Sequence, residues 1–176
     1  KIMALSKVVG TKIIGVATTL PSHREDNLEL TELSLPQKEQ LVKHTGIRYR
    51  STVQGQGESL GIMFKSSISK LLGILNWDKS SIDILVIVTQ SVQSPIPSLA
   101  CKLHGDLDFP PSTMAYDINS GCSGFVYGLH TVSQLLTSLD KNGKRAILCC
   151  GDVSSQLTEE SDMAVKPIFS DAVSAI

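Results

Sequence analysis

This 176-residue chain has almost no net charge and no long hydrophobic run. Its 16 lysines and arginines nearly balance 17 aspartates and glutamates, which leaves a formal charge of −1 at pH 7. So small a charge gives no electrostatic reason to expect a nucleic acid or a membrane surface as partner. The longest strand-like apolar run, residues 82–88, contains Asp83 and is far shorter than a membrane-spanning helix. A signal peptide is not evident after Lys1 and Lys7 either.

Cysteine is also scarce, and its spacing suits neither metal nor disulfide chemistry. No C-x-x-C pair is formed by the four cysteines, Cys101, Cys122, Cys149 and Cys150. Cys149 and Cys150 are adjacent in a strand pattern, so their side chains should point to opposite faces of a sheet. A metal site and a disulfide framework are therefore both poor interpretations. We expect no metal, no cofactor and a reduced, cytoplasmic compartment.

The chain does contain a regular alternation of strand and helix patterns. Hydrophobic residues make up 41% of it and charged residues 19%, which suits one globular domain with a core. Residues 82–89 and 145–150 are dense in apolar residues, as buried parallel strands are. Further strands are predicted over residues 12–18 and 49–52, and helices over residues 28–33, 37–44, 59–75 and 97–104. This order predicts an α/β fold with a largely parallel sheet.

The candidate reactive residue, Cys122, lies at one junction between a strand and a helix. A β-type run over residues 113–118 is followed by small residues and then by an amphipathic helix. One helical stripe is formed by Phe125, Leu129, Val132 and Leu136, which recur at steps of four, three and four. Cys122 therefore sits at the start of this helix, where free N–H groups and the helix dipole stabilise a thiolate.

Two interpretations of Cys122 are open from this spacing alone. Gly121 and Gly124 permit a sharp turn, so the geometry is analogous to a nucleophile elbow with cysteine in place of serine. The competing interpretation is an inert core residue, because free cysteine is among the most buried residue types. If Cys122 is the nucleophile, we expect it alone to react quickly with iodoacetamide.

Four segments, in order, resemble one enzyme family. The stretch DINSGCSGFVYGL at residues 117–129 resembles the nucleophile motif of β-ketoacyl-acyl-carrier-protein synthase III, a thiolase-fold condensing enzyme. TKIIGVA at 11–17, TGIR at 45–48 and FSDA at 169–172 resemble its first strand, its TGIR segment and its FGDG-like strand. The resemblance implies a thiolase-like layered fold in which residues 1–176 form the N-terminal half, with a buried nucleophile helix. Since the apolar strand pattern runs to residue 176, we expect a C-terminal half that is absent from this chain or supplied by another polypeptide.

The resemblance also implies a reaction. In this family a thioester acylates the cysteine, here Cys122, and a carbanion from malonyl on acyl carrier protein then attacks the acyl group. The Cys122 amide would help to bind the oxyanion. The family carries its catalytic histidine and asparagine in the second half, so no histidine of this chain is assigned a catalytic role. The implied activity is that of an acyltransferase in fatty-acid or related secondary-metabolite synthesis.

Four further positions follow from the resemblance. Ile96 falls where the family places a residue that reaches into the partner's acyl pocket of a homodimer, although local packing of Ile96 is equally compatible. Gln40 and His44 stand at the family's tryptophan and arginine positions for coenzyme A, and Met163 stands at another arginine position. Because stacking and charge are lost together, coenzyme A recognition should be weakened relative to a thioester on carrier protein.

Rival functions remain beside the condensing enzyme. The chain could be a non-catalytic or partner-dependent half of a split condensing complex, or it could transfer an acyl group to an oxygen or nitrogen nucleophile. A generic α/β binding domain with buried cysteines is disfavoured by the four segments in order.

Overall fold

The computed structural model describes residues 5–55 and 57–176, which contain seven strands and four α-helices. In chain order they are β1 (Ala17–Thr19), β2 (Arg24–Asp26), α1 (Leu35–Thr45), β3 (Tyr49–Ser51), α2 (Leu60–Leu75), β4 (Ile84–Val88), α3 (Leu99–Asp106), β5 (Met114–Ile118), α4 (Gly124–Ser138), β6 (Ala146–Asp152) and β7 (Ala172–Ala175). No helix among these residues is long and apolar enough to cross a membrane.

Five strands form one mixed sheet in the order β1-β7-β6-β4-β5. The central strand β4 runs parallel to both β5 and β6, whereas β7 runs antiparallel to β6 and to β1. A separate two-stranded sheet pairs β2 with β3. The predicted α/β fold with a largely parallel sheet is confirmed.

Strand β4 explains why the sheet is a middle layer. All five of its residues are buried, and their side chains alternate between the two faces. Leu85 and Ile87 belong to the core cluster that includes α2 and α3, whereas Val86 and Val88 belong to the cluster that includes α4. A strand covered on both faces is a continuous apolar run, which is the pattern that the sequence showed.

Three local expectations are corrected. The strand predicted over residues 12–18 is reduced to β1, because its partner β7 ends at Ala175, opposite Ala17. The helix predicted over residues 28–33 is a single 3₁₀ turn, Asn27–Glu29, while Pro36 lies in the first turn of α1, where its missing N–H costs nothing. Strand β2 was not predicted, because its sequence, Arg-Glu-Asp, has no apolar residue.

Helix α4 packs against the sheet through two glycines, Gly124 and Gly128. A Cβ atom on Gly128 would lie 2.7 Å from Val88 Cγ2 and 3.0 Å from Leu148 Cδ1. A Cβ atom on Gly124 would lie 2.5 Å from Val88 Cγ1. The helix axis therefore approaches β4 and β6 more closely than any larger residue would permit.

The side of α4 that faces away from the sheet is exposed to solvent. We expected a helix buried between two sheets, but here it packs on one sheet only. Phe125 is 40% exposed, Val126 is 67% exposed and Tyr127 is 60% exposed. The apolar stripe therefore divides: Val132 is buried against the sheet, whereas Phe125 at the start of the helix is not covered in this chain.

The close approach of α4 can be tested by adding one methyl group. Gly128→Ala should lower the free energy of unfolding by about 1–3 kcal/mol, because the new Cβ overpacks against Val88 and Leu148. The matched control is Gly73→Ala in α2, where nothing lies within 4 Å of the added Cβ. That control should be neutral or stabilise by about 0.5–1 kcal/mol, because alanine restricts the unfolded chain and favours helix. Equal effects of the two substitutions in urea denaturation would contradict the packing described.

Candidate active site

The carboxyl ends of three parallel strands meet at one edge of the sheet. Strands β4, β5 and β6 lie side by side and point the same way. The chain leaves β4 into residues 89–91, leaves β5 into residues 119–122, and ends β6 at Asp152. In open α/β sheets this edge is where ligands bind, because the loops that follow the strands converge there.

Cys122 lies at this edge, at the strand-to-helix junction that the sequence predicted. It is the middle residue of a 3₁₀ turn, Gly121–Ser123, which leads directly into α4. Gly121 has a φ of +55°, so this turn uses a left-handed conformation that glycine adopts without strain. The Cys122 side chain is exposed, and the first turn of a 15-residue helix follows it. Cys122 is therefore not the buried core residue of the competing interpretation, and its role as nucleophile remains a prediction.

Two of the other three thiols are less accessible than Cys122. Cys149 is fully buried, and burial raises the pKa of its thiol well above the ordinary value. Burial, and secondarily the charge of Asp152, raises the pKa of the Cys150 thiol to about 12. Cys101, however, is exposed in the first turn of α3, which the sequence pattern did not indicate.

The N-terminus of α3 is already occupied by polar side chains. Asp117, on β5, accepts hydrogen bonds from the backbone N–H groups of Leu99 and Ala100, each at 2.7 Å. Ser98 Oγ accepts a third hydrogen bond, from the N–H of Cys101 at 3.2 Å. An anionic cap of this kind occupies the free N–H groups at the positive end of α3, whereas no side chain caps the N-terminus of α4.

Comparison with known proteins agrees with this geometry. A family model described as 3-oxoacyl-[acyl-carrier-protein] synthase III matches residues 116–176. A putative 3-oxoacyl-[acyl-carrier-protein] synthase 3 of Campylobacter jejuni is 33% identical over 168 residues, which are 93% of this chain and 46% of that protein. The crystal structure of a 3-oxoacyl-(acyl-carrier protein) synthase from Burkholderia xenovorans superposes with a TM-score of 0.87 at 30% identity, over 96% of this chain and 48% of that one.

The chain is similar to the N-terminal half of synthase III proteins. It spans about half the length of the curated relatives it matches, and the match is consistent with an N-terminal half. A priming β-ketosynthase from the R1128 polyketide pathway shares the fold, with a TM-score of 0.84 at 19% identity. The predicted thiolase-like α/β fold is thus confirmed, and the Cys122 turn lies within the part of the chain that the family model matches.

The synthase III positions outside the Cys122 turn are spread over three segments. Ile96 lies in the loop between β4 and α3, is 84% exposed, and its carbonyl accepts a hydrogen bond from Ser94 Oγ at 2.9 Å. Gln40 and His44 are exposed one turn apart on α1, and Met163 is half-buried in the turn before residues 166–168. Their predicted roles remain predictions.

The segment that carries Met163 is tied to the region of α1 through Asn27. The Asn27 side-chain amide donates to the carbonyls of Ile47 and Pro167, each at 2.9 Å, and Asn27 is fully buried. Lys166 Nζ lies 3.7 Å from Glu32 Oε1, which is a second link between the two segments. Gln40, His44 and Met163, the three positions that the resemblance predicts for coenzyme A contacts, therefore belong to one anchored region of the surface.

The described residues contain no metal-binding cluster, and their apolar cavity lies away from Cys122. No group of three or more His, Cys, Asp or Glu side chains that could hold a metal ion occurs among the described residues. An apolar cavity of about 360 Å³ exists, but it lies along the second half of α4, between that helix, the end of α2 and residues 11–15. Cys122 does not line it, so this cavity is separate from the nucleophile turn.

The thiols should react with iodoacetamide in an order set by access and helix position. At pH 7 we expect Cys122 to be modified first and Cys101 second, because Cys122 is exposed beside an uncapped helix start. Cys149 and Cys150 should be modified far more slowly, since burial keeps both thiols protonated. Peptide mass spectrometry after timed quenching measures the order; equal labelling of all four thiols would contradict it.

Proposed function

We propose that this chain contributes the acyl-accepting cysteine of a synthase III-type condensing enzyme. The observation that carries the proposal is the exposed Cys122 thiol at the N-terminus of α4, on the carboxyl edge of the parallel sheet. An exposed thiol at a helix start is the arrangement that favours a nucleophilic thiolate. The homologues are 3-oxoacyl-acyl-carrier-protein synthases, which supports the same class of reaction.

The proposed first half-reaction is a thioester exchange. The Cys122 sulfur attacks the carbonyl carbon of an acyl thioester, and the bond from that carbon to the donor sulfur breaks. The donor leaves as a free thiol, taking a proton, while the acyl group stays on Cys122. The tetrahedral intermediate carries a negative oxygen, which we propose is bound by N–H groups of the Cys122 turn.

The proposed second half-reaction forms a carbon–carbon bond. Malonyl carried on acyl carrier protein loses carbon dioxide, and the resulting carbanion attacks the acyl carbon held on Cys122. The sulfur of Cys122 leaves as thiolate and a 3-oxoacyl product remains on the carrier. Decarboxylation needs groups that stabilise the carbanion, and the family resemblance assigns those to the second half, so this step is proposed only together with that half.

A partner-dependent half is the second candidate, and a specific observation favours it. The apolar residues of α4 that face away from the sheet, such as Val126 and Tyr127, are more than half exposed. A helix whose outer side is that apolar usually packs against something else. Transfer of the acyl group to an oxygen or nitrogen nucleophile is a variant of the same first half-reaction.

The acyl donor is proposed to be a thioester on acyl carrier protein rather than free coenzyme A. Gln40 and His44 offer neither an indole nor a guanidinium for stacking on adenine, and Met163 offers no charge. Lys43 is exposed and Lys38 partly exposed on the same helix, and both are suited to meet acidic residues of a carrier. We place the reaction in the cytoplasm and in fatty-acid or related biosynthesis.

Acylation measured by intact mass tests this function. Matched acyl groups on carrier protein and on coenzyme A are each incubated with the wild-type chain, Cys122→Ala and Cys101→Ala. We expect one acyl group on wild type and on Cys101→Ala, none on Cys122→Ala, and a rate about tenfold or more higher from carrier protein. Acylation of Cys122→Ala would contradict the nucleophile, and a preference for coenzyme A would contradict the proposed donor.

The proposed assembly is a homodimer in which Ile96 reaches the partner. Ile96 is a large apolar side chain that is 84% exposed between two prolines, so it is accessible to a partner. Ile96→Asp should weaken the dimer, whereas the matched change Ile74→Asp, at an exposed position near the end of α2, should not. Light scattering at micromolar concentration gives the mass; a wild-type monomer that is still acylated would refute this assembly.

A further inference from the structure

The carboxylate of Asp152 is the hub of a hydrogen-bond cluster at the carboxyl edge of the sheet. One oxygen, Oδ1, accepts from the backbone N–H of Gln90 at 2.6 Å and of Ser91 at 3.0 Å. The same oxygen accepts from the hydroxyls of Thr89 at 2.7 Å and Ser91 at 2.9 Å. Bonds to an ionised acceptor are stronger than bonds between neutral groups, so this cluster fixes residues 89–91, the turn that leaves β4.

The cluster also links the turn to Val153, the residue that follows Asp152. Ser91 Oγ accepts a hydrogen bond from the backbone N–H of Val153 at 2.9 Å. Both Thr89 and Ser91 are buried, so few water molecules can replace these bonds if the carboxylate is removed. The turn after β4 is thus fastened to the end of β6 from two directions.

The turn that Asp152 holds is the support of the Cys122 turn. The Thr89 N–H donates to the carbonyl of Ile118, the last residue of β5, at 3.3 Å. Gln90 Oε1 lies 3.7 Å from where a Cβ on Gly121 would be, next to Cys122. Val88, immediately before the turn, is the residue against which Gly124 of α4 packs. Residues 88–90, which Asp152 holds, therefore lie beside Gly121, which precedes Cys122, and beside Gly124, two residues after it.

We propose that Asp152 is a positioning residue for Cys122. It does not act on the substrate itself; it holds the end of β4 in the place that sets the Cys122 turn and the first turn of α4. The kinetic consequence of this inference rests on the proposed function, because only an acylation reaction would report it as a rate. Removal of the Asp152 carboxylate should also make the Cys122 turn more mobile, and this consequence does not depend on that function.

Three variants separate positioning from charge and from general destabilisation. Asp152→Ala removes the acceptor. Asp152→Asn keeps an Oδ1 oxygen, which can retain all four hydrogen bonds because they all converge on that atom. Asp140→Ala removes a carboxylate from the exposed segment after α4 and is the control for net charge. Thermal unfolding of each variant establishes that it is folded at the assay temperature.

The kinetic experiment measures acylation of Cys122 from an acyl-carrier-protein thioester over a range of donor concentrations. Asp152→Ala should lower the rate constant at saturation by about 10- to 100-fold, because a shift of about 1 Å at the reacting atom costs that much. The half-saturating donor concentration should change less than the rate constant does, since no donor contact is removed. Asp152→Asn should recover most of the rate, and Asp140→Ala should match wild type.

Hydrogen exchange supplies a readout that needs no reaction. The backbone amides of Gln90 and Ser91 should exchange faster in Asp152→Ala than in wild type and stay protected in Asp152→Asn. Amides 119–124 should also exchange faster in Asp152→Ala, and the iodoacetamide rate of Cys122 relative to Cys101 should fall by about two- to fivefold as the helix start loses its fixed orientation.

The outcomes are distinguishable. If wild type accepts no acyl group, the proposed function fails, and the exchange and labelling results alone decide the positioning role. Faster exchange at residues 89–91 with no change in the labelling or acylation of Cys122 would overturn the inference. The Asp152 hydrogen bonds would then fix residues 89–91 without affecting the Cys122 turn. A loss in Asp152→Asn as large as that in Asp152→Ala would overturn it as well, since charge rather than hydrogen bonding would be the cause.

Discussion

The structure depends on how closely α4 approaches the sheet. Gly124 and Gly128 are one helical turn apart, and each brings its backbone against Val88 of β4. Side chains of ordinary size would hold the helix away, which would move its N-terminus and the turn before it. Because Cys122 lies two residues before Gly124, its position at the edge of the sheet follows from this packing. Cys122, the proposed nucleophile, is thus located by backbone contact, which is stiffer than contact through long side chains.

Two carboxylates organise the loop that borders this turn. Asp152 of β6 binds the start of the loop at residues 89–91, and Asp117 of β5 binds its end at the N-terminus of α3. The loop between them, which carries Ile96, is fixed at both ends while its middle is exposed. Such an arrangement permits contact with a partner without moving Cys122. The strands on either side of β4 therefore hold both the loop and the nucleophile.

A second polar cluster fastens β2 and β3 to the rest of the domain. Arg50 is buried and donates to Asn27, to Glu25 and to the carbonyls of Lys166 and Phe169. Every donor of such a buried guanidinium needs a partner, so these bonds specify one arrangement of the segments. This is why a small, polar, two-stranded sheet is stable here although it contributes little to the core.

The features that could be predicted from the sequence were those with a local periodicity of apolar residues. The β-type run that became β5 and the apolar stripe that became α4 place Cys122 at their junction, because strand and helix periods are visible within ten residues. Strand β2 was missed because its three residues are polar and its middle residue, Glu25, is held by Arg50, a contact distant in sequence. The role of Asp152 was missed for the same reason: its partners lie about 60 residues earlier. The exposure of Cys101 depends on how α3 packs, which its own sequence does not specify.

The most direct test of this account is a measurement of the distance between α4 and β4 in solution. Nuclear Overhauser effects between the Val88 methyl groups and the α-protons of Gly124 and Gly128 report it without any substrate. The account predicts strong effects at both glycines, because each Cβ direction points at a Val88 methyl group within 3 Å. Absence of both effects, with β4 still paired to β5 and β6, would show that α4 sits elsewhere and that Cys122 is not held at this edge.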